Sequence, residues 1–287
     1  MSKSPVRSIA GIAAALSLLA LLQGCGGDCA PKSLMCEYRA DPIGLETLNP
    51  RLSWQTADGQ VAWRVRVAST MEKLSSGEAD LWDSGKVCGG DTFGIAYAGR
   101  KPSPSLRAYW QVKTWTGRGE SSWSAPARWQ WGMLGEDWGA KWISAGSEVP
   151  TPCFERSFTL KAKPLRADLH ITGVGYYEAT LNGRRVGSKM LDPSPTDYCK
   201  TVLYSTYQVE DSLRQGDNKI SVLVGHGLYC VHCTDFKRQL FDKRRHSETD
   251  YHRQRQCHNY WNYTGSIKKC SHCNFVLTYR ATKPIFL

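Results

Sequence analysis

An Asn-Gly pair at the end of an alternating segment constrains the fold of this chain more than any other feature of its sequence. In the segment Tyr176–Leu181, YYEATL, every second side chain falls on the same face of an extended strand. Asn182 and Gly183 then supply the two positive φ values that a two-residue hairpin loop requires. The sequence therefore predicts a half-buried β-hairpin at this point of the chain.

Short alternating segments of the same kind fill most of the chain. Helical amphipathic patterns are nearly absent, and the 11 Trp and 13 Tyr among 287 residues suit stacked sheets with aromatic cores. We predict an all-β protein, with an immunoglobulin-like or fibronectin-like sandwich at residues 45–132 and a second β-sandwich at residues 138–229. The segments are RLSWQ, AWRVRVAS, LWDSGKV, FGIAYAG, AYWQVKTWT and ARWQWG in the first domain and FERSFTL, RADLHITGVGYYEATL, KTVLYSTYQV and NKISVLV in the second.

The first 25 residues have the pattern of an export signal. Lys3 and Arg7 form a basic region, and an apolar stretch follows at residues 9–22. That stretch has ~14 residues, whereas a helix needs about 20 to span a bilayer. Cys25 ends a Leu-Gln-Gly-Cys motif of the kind at which bacterial lipoproteins are cleaved and diacylated. We expect an exported lipoprotein, anchored through Cys25 to the inner or outer membrane on the periplasmic or cell-surface side; a plain secretory signal is the alternative.

The composition of the chain changes near residue 226. From there to residue 287, 11 Lys and Arg stand against four Asp and Glu, which is +7 of the total net charge of +11. The same segment holds six of the seven His and five of the 11 Cys, but one of the 11 Trp. Neither helical nor strand periodicity is visible in it before residues 274–279. We therefore predict an irregular, basic tail rich in Cys and His at residues 230–287.

Three interpretations of this tail compete. Cys230-x-x-Cys233 and Cys270-x-x-Cys273 offer thiolates for a tetrahedral zinc, but 36 residues separate the two pairs, against about 15–20 in the usual zinc pattern. Disulfides are the second interpretation, because an oxidising compartment favours them. The third is a frameshift or a truncated gene model that replaced the native continuation, and the abrupt change of composition within a domain favours it. We predict no metal and no cofactor.

Several motifs between residues 49 and 229 together resemble one known family. They are NPRLSWQ, LWDSGKV, YWQVKTW, SSWS, DWGAKWI, GVGYYEATLNGRRVG, LDPSPTDY and VLYSTYQV. Their order and spacing resemble the front end of the bacterial α-L-rhamnosidases of glycoside hydrolase family 78. The resemblance implies an immunoglobulin-like domain and a jelly-roll N-terminal domain, ahead of a further β-domain and a catalytic (α/α)6 barrel. It also implies that the full enzyme hydrolyses terminal α-L-rhamnose with inversion, using a pair of acidic residues.

The resemblance carries no catalytic residue over to this chain, because no long helical repeat follows residue 224. We therefore predict an N-terminal fragment of an α-L-rhamnosidase with an incomplete jelly roll, inactive on its own. The alternative is a stand-alone carbohydrate-binding lipoprotein. In an incomplete jelly roll, residues 219–224 would be an unpaired apolar edge strand, which is prone to aggregation.

Sugar binding on the loop rim of the second domain is the remaining candidate function, with rhamnose-containing glycans as partners. Aromatic rings pack on the apolar faces of pyranoses, and Asp or Asn side chains bind sugar hydroxyls. Structural roles explain several of these candidates equally well. Asn182 suits its turn, one of Tyr176 and Tyr177 must lie in the core, and Asp192 could simply begin a turn before Pro193. Asp192 and Asp197 alone are too few ligands to predict a calcium site. The basic run at residues 243–245 predicts a solvated or unfolded segment, and we predict no nucleic-acid partner. The candidate substrate-binding residues are Tyr176, Tyr177, Asn182, Asp192, Asp197 and Tyr198.

Overall fold

The computed structural model of the protein divides into two compact units, with the boundary between Gln130 and Trp131. Each unit is built almost entirely of antiparallel strands, so the prediction of an all-β protein is confirmed. Among the described residues, no helix is long and apolar enough to cross a membrane. The structure describes residues 30–56, 59–135, 140, 142–145, 151–196, 200–225, 227 and 274–281.

Two sheets form the first unit. One has the order β1-β3-β7, and the other has the order β2-β10-β8-β4-β5, with β6 also paired to β4 and β9 to β8. The strand β1 and the first two residues of β2 lie ahead of Leu45, where the sequence places the start of the domain. Nearly all side chains of these two strands are exposed or half-buried, which leaves little alternation to read. The strands are β1 (Lys32–Cys36), β2 (Ile43–Leu45), β3 (Arg51–Gln55), β4 (Gln60–Ala68), β5 (Trp82–Asp83), β6 (Val87–Cys88), β7 (Ile95–Ala96), β8 (Arg107–Thr116), β9 (Gly119–Glu120) and β10 (Ala127–Trp131).

Aromatic residues fill the core of the first unit. Trp110 and Trp129 are fully buried, and their ring centres lie 6.3 Å apart in an edge-on arrangement. Tyr97 packs edge-on against Trp129 at 5.8 Å and is itself buried. Edge-to-face pairs of this kind add to the free energy gained from burying the rings. The strand alternation therefore places the tryptophans where the sequence predicted an aromatic core.

One short helix, α1 (Met71–Ser76), interrupts the strands of this unit. The Thr70 hydroxyl accepts a hydrogen bond from the backbone amide of Lys73, and Gly77 ends the helix in the left-handed conformation. Six residues are too few to show a helical repeat in the sequence. Gly77 is therefore the C-terminal cap of a helix too short to be predicted from its sequence pattern.

The second unit is a sandwich of two four-stranded sheets. The orders are β11-β18-β13-β16 and β12-β17-β14-β15. Alternate apolar residues of β13, β14 and β17 form the buried core between the sheets, with Ile171 and Val224 fully buried. The elements are β11 (Ile143–Ser144), β12 (Cys153–Leu160), β13 (Ala167–Gly173), β14 (Tyr176–Leu181), β15 (Arg184–Arg185), β16 (Ser205–Gln208), a 3-10 turn (Glu210–Ser212), β17 (Gly216–Gly225) and β18 (Asn274–Ala281).

The expectation of an unpaired edge at residues 219–224 is wrong. These residues belong to β17, which pairs with β12 on one side and with β14 on the other. One of these partners, β12, contains the predicted segment FERSFTL, but its weakly alternating side chains did not show that it would pair with β17. The apolar strand therefore lies inside its sheet.

The predicted tail contributes one strand to this unit. Asn274–Ala281 forms β18, at the segment where alternation resumes in the sequence, and it pairs with β11 and along the whole of β13. The four tail cysteines considered for zinc lie outside the described residues. The tail thus supplies an internal strand of the sheet β11-β18-β13-β16.

Candidate functional site

Two of the predicted site residues meet at a buried carboxylate in the second unit. Asp192 is 7% exposed, and its Oδ2 accepts hydrogen bonds from three hydroxyl groups. The donors are Tyr177 at 2.8 Å, Tyr207 at 2.6 Å and Ser205 at 2.5 Å. We call these four residues the Asp192 cluster.

The strands of both sheets position the Asp192 cluster. Tyr177 comes from β14, whereas Ser205 and Tyr207 come from alternate positions of β16 in the other sheet. The backbone amide of Tyr177 also donates to the carbonyl of Asp192 at 2.9 Å, so the loop that carries the carboxylate runs beside β14. Asp192 therefore links the two sheets of the sandwich at its rim.

The hydrogen bonds hold Asp192 in its ionised form. Burial raises the pKa of Asp192, but the hydroxyls of Ser205, Tyr207 and Tyr177 and the charge of Lys189 together outweigh burial, so the pKa lies below its usual value. The Nζ of Lys189 donates to the Ser205 hydroxyl at 3.3 Å, which places its charge beside the cluster. A buried anion with three donors is the charge-assisted arrangement that compensates for its loss of water.

Both tyrosines of the cluster remain hydrogen-bond donors at neutral pH. Burial raises the pKa of Tyr177 well above its usual value, and hydrogen bonding and charge from Tyr207 and Asp192 add to the effect. Burial and the hydrogen bond to Asp192 raise the pKa of Tyr207 to about 12. Because a general acid needs a raised carboxyl pKa and an accessible proton, Asp192 does not have the properties of a general acid.

Asn182 has a structural role that occupies its side chain fully. Its φ of 54° and that of Gly183, 77°, confirm the hairpin turn that the sequence predicts. Its Nδ2 donates to the carbonyl of Ser212 at 2.9 Å and to Oδ1 of Asn218 at 2.7 Å. Its Oδ1 accepts the amide of Lys219 at 2.9 Å. Asn182 therefore fastens the hairpin to the beginning of β17.

Tyr176 and Tyr177 lie on opposite faces of β14. Tyr177 is part of the core, whereas Tyr176 is half-buried on the outer face. The predictions for Asp197, Tyr198 and the lipidation site Cys25 lie outside the described residues. The structure thus brings Tyr177 and Asp192 together and leaves Tyr176 apart from them.

Sequence reasoning missed Ser205, Tyr207 and Lys189. The alternation of the segment LYSTYQ places Ser205 and Tyr207 on the same face, and this was the signal available. What the sequence did not show is that this face is opposite Asp192, because the two lie on different strands and loops of the fold. Tertiary contacts alone bring the donors to the carboxylate.

Metal ligands do not gather in the described part of the chain. Among its residues, no group of three or more His, Cys, Asp and Glu side chains could hold a metal ion. Three cysteines in this part are free thiols, of which Cys36 is buried and Cys88 and Cys153 are exposed. The Oδ2 atom of Asp192 accepts hydrogen bonds from hydroxyl groups of the protein, as a buried carboxylate with a structural role does.

The fold defines the chain as a tandem of two β-sandwich domains, and comparison with known families identifies both. The Rha78A-like, N-terminal immunoglobulin domain matches residues 31–135, and the alpha-L-rhamnosidase N-terminal domain matches residues 162–264. The chain carries the N-terminal domains of the α-L-rhamnosidases, and the resemblance seen in its motifs is confirmed.

Individual relatives agree with these matches. An alpha-L-rhamnosidase of Formosa agariphila is 33% identical over 228 residues, which cover 68% of this chain and 24% of the relative. One of Streptomyces avermitilis is 44% identical over 218 residues, covering 65% of this chain and 21% of the relative. The chain thus spans about a quarter of the length of the curated relatives that it matches.

Solved structures show the same correspondence. The alpha-L-rhamnosidase from Dictyoglumus thermophilum superposes with a TM-score of 0.65 at 34% identity, over 70% of this chain and 25% of that one. The enzyme from Aspergillus terreus superposes with a TM-score of 0.62 over 87% of this chain and 26% of that one. At 20% identity, the second comparison concerns the fold alone.

Proposed function

We propose that this chain is the N-terminal, non-catalytic part of an α-L-rhamnosidase, and that its 287 residues alone do not hydrolyse terminal α-L-rhamnose. One observation carries the proposal: the relatives and both family matches concern N-terminal domains, and the chain covers 24% and 21% of two of the relatives. Hydrolysis belongs to the remaining part of such an enzyme.

The buried carboxylates of the second unit support the same proposal. Inverting glycosidases need one carboxyl group that donates a proton and a second that activates water. Asp192 is kept ionised by three hydroxyl donors, and Asp168 contacts Arg166 at 3.2 Å. Both side chains therefore bind groups of their own unit and are not directed at a substrate.

An assay with p-nitrophenyl α-L-rhamnopyranoside tests this proposal. We expect the purified 287-residue protein to release nitrophenol no faster than a buffer blank. A full-length α-L-rhamnosidase at the same concentration is the positive control. Turnover that co-purifies with the chain through two orthogonal columns would refute the proposal.

Carbohydrate binding is the second candidate function, and the outer face of β14 favours it. Tyr176 is half-buried there, and Leu223 of the neighbouring strand β17 is 44% exposed. Glu178, which lies opposite Leu223, places an exposed carboxylate beside these apolar groups. An aromatic ring and an apolar neighbour can pack against the apolar face of a pyranose, and a carboxylate can bind its hydroxyl groups.

Titration with rhamnose and with a rhamnosylated glycan tests this second candidate. The proposal is that the protein binds rhamnose-containing glycans and that Tyr176→Ala weakens binding by about tenfold, the effect of losing one stacking ring. The conservative variant Tyr176→Phe should retain most of the affinity. Equal affinity of the wild type and Tyr176→Ala would show that the sugar does not bind at Tyr176.

Export and anchoring complete the proposal. The basic and apolar leader with Cys25 supports cleavage before that cysteine and attachment to the inner or outer membrane. Growth of expressing bacteria with radioactive palmitate should label the wild-type protein but not Cys25→Ser. Label in the Cys25→Ser protein would exclude Cys25 as the modified residue.

A further inference from the structure

A row of charged and aromatic side chains covers the outer side of the larger sheet of the first unit. Val65 and Val67 of β4 are fully buried, and the residues between and beside them, Arg64 and Arg66, are on the opposite face. On β8, Lys113 lies opposite Arg64, and Trp115 follows two residues later on the same face. The cation–tryptophan row consists of Arg64, Arg66, Asp83, Lys86, Lys113, Trp115, Glu120 and Trp123.

Contacts connect the row at one end through Trp115. The Nζ of Lys86 lies 4.5 Å from the centre of the Trp115 ring. The indole Nε1 of Trp115 donates to Glu120 at 3.0 Å, and Glu120 also accepts from Nζ of Lys113 at 2.5 Å. Cation–π and ion-pair contacts therefore alternate along this half of the row.

The other half is arranged around Trp123. The cationic groups of Arg66 and Lys113 lie 4.7 and 5.0 Å from its ring centre. Arg66 and Arg64 in turn contact Asp83, Arg64 through two hydrogen bonds at 2.9 and 2.7 Å. A planar, bidentate pair of this kind fixes the geometry of the guanidinium group.

The serines of the motif SSWS hold Trp123 in place. The hydroxyl oxygens of Ser121 and Ser124 accept the backbone amides of Thr114 and Val112 in β8, at 3.0 and 3.1 Å. The amides of the same two serines donate back to β8. Trp123 therefore lies on a segment that is fastened to the sheet on both sides of the ring.

The row carries more positive than negative charge. It contains four basic groups and two carboxylates, Asp83 and Glu120. Lys86 is exposed, and within the described part of the chain it contacts the Trp115 ring without forming an ion pair. Lys86 can therefore bind an external carboxylate, whereas Arg64, Arg66 and Lys113 already contact Asp83 or Glu120.

Cations cover both tryptophans of the row, and this limits the class of partner that the row can bind. Protein interfaces centre on exposed aromatic and apolar anchors, and single-stranded nucleic acids stack on open rings. In the row, cations lie over both indoles, and none of the strongly exposed apolar residues of the described chain belongs to it. A hydrated polymer with regularly spaced carboxylates needs neither anchor. We propose that the cation–tryptophan row binds acidic polysaccharide, with a carboxylate of the polymer on Lys86 and the net positive charge of the row attracting the neighbouring carboxylates.

Binding of the 287-residue protein to polygalacturonate, measured by affinity electrophoresis, tests this proposal. We expect retardation that is lost when NaCl is raised from about 0.05 to about 0.5 M, because exposed charges are screened. Lys86→Gln should weaken binding several-fold, and Lys86→Gln/Lys113→Gln by about tenfold or more. The single variant removes an exposed side chain and is expected to leave the fold intact.

A charge-matched control separates the row from general charge. Lys161→Gln/Lys163→Gln removes two exposed positive charges from the second unit and should leave the retardation unchanged. The proposal is overturned if the wild type is not retarded, if the control variant loses as much affinity, or if duplex DNA binds equally well. Polygalacturonate contains no rhamnose and the assay requires no hydrolysis, so failure here leaves the proposed rhamnosidase assignment unaffected.

Discussion

Asp192 shows how one residue can have two opposite interpretations. In the sequence it precedes a proline on a loop and could bind sugar hydroxyls, whereas in the structure three protein hydroxyls occupy its Oδ2. Hydroxyl donors on two different sheets make the carboxylate part of the interior. The residue type and its place beside a turn are read from sequence, but the donors that decide its role come from elsewhere in the chain.

The stability of the second unit should depend on pH through Asp192. Its pKa is depressed in the folded state, so ionised Asp192 stabilises the fold above the unfolded pKa of about 4, and this stabilisation is lost as pH falls through the folded pKa. Asp192→Asn should lower the free energy of unfolding by about 3 kcal/mol at neutral pH. It should also make the stability of the unit less dependent on pH in the acidic range. Hydrogen exchange of β14 and β16 between about pH 3 and 7 measures both effects.

The control for this prediction is Asp211→Asn, which neutralises an exposed carboxylate of the same unit. It should change neither the stability nor its pH dependence appreciably. Equal protection of β14 in Asp192→Asn and wild type would show that the cluster adds no stability.

Gly187 gives a second prediction at the scale of one residue. Its φ is +73°, and a Cβ added there would lie 2.2 Å from a carbon of the Tyr207 ring. We expect Gly187→Ala to displace Tyr207 from Asp192 and to destabilise the unit by about 3 kcal/mol, combining overpacking with backbone strain. Chemical denaturation followed by near-ultraviolet circular dichroism measures the loss.

Gly183→Ala is the matched control for that variant. Gly183 has a φ of +77° but nothing within 4 Å of an added Cβ, so only the backbone strain of about 1 kcal/mol applies. If the two variants are equally stable, the contact between Gly187 and Tyr207 is not what requires glycine at position 187.

At the scale of elements, the hairpin β14–β15 was the most predictable part of the fold. Its turn follows from the left-handed preference of Asn-Gly, and its strand from strict alternation, both of which are local properties. The helix α1 was not predictable in the same way, because six residues show no helical repeat. The segment of β12 was predicted as a strand, but its weak alternation did not show that it pairs with β17. Elements with one clearly buried face are thus read from sequence more reliably than short or exposed ones.

The side chain of Asn182 should stabilise the hairpin beyond its backbone preference. Asn182→Gly keeps the left-handed conformation but removes the bonds to Ser212, Asn218 and Lys219. We expect a loss of about 2 kcal/mol, measured by denaturation, because partly buried polar groups lose their partners. A variant as stable as the wild type would assign the role of Asn182 to its φ alone.

At the scale of the whole molecule, the chain is two sandwiches, and the tail takes part in the second. β18 lies between β11 and β13 and pairs with seven residues of β13. Composition marked this tail as foreign to the fold, but composition records only the average character of a segment. A short alternating stretch within it is enough to complete a sheet.

Truncation tests the contribution of β18. A chain that ends at Gly227 should lose protection in β13 and aggregate through the newly open strand edge, while the first unit unfolds as in the wild type. A chain that ends at Ala281 keeps β18 and should behave as the full protein does. Limited proteolysis with mass spectrometry distinguishes the units; an intact second unit in the shorter chain would contradict the role of β18.

The sequence by itself determined the all-β class, the hairpin turn and the family motifs, because turn preferences, strand alternation and motif spacing are local properties of the chain. It also placed an aromatic core in the first unit. Only the tertiary structure decided that Asp192 and Asn182 are held by partners of their own unit, that residues 219–224 are internal, and that cations cover Trp115 and Trp123. Each of these depends on residues far apart in the chain, and local patterns carry no information about which distant strands come together.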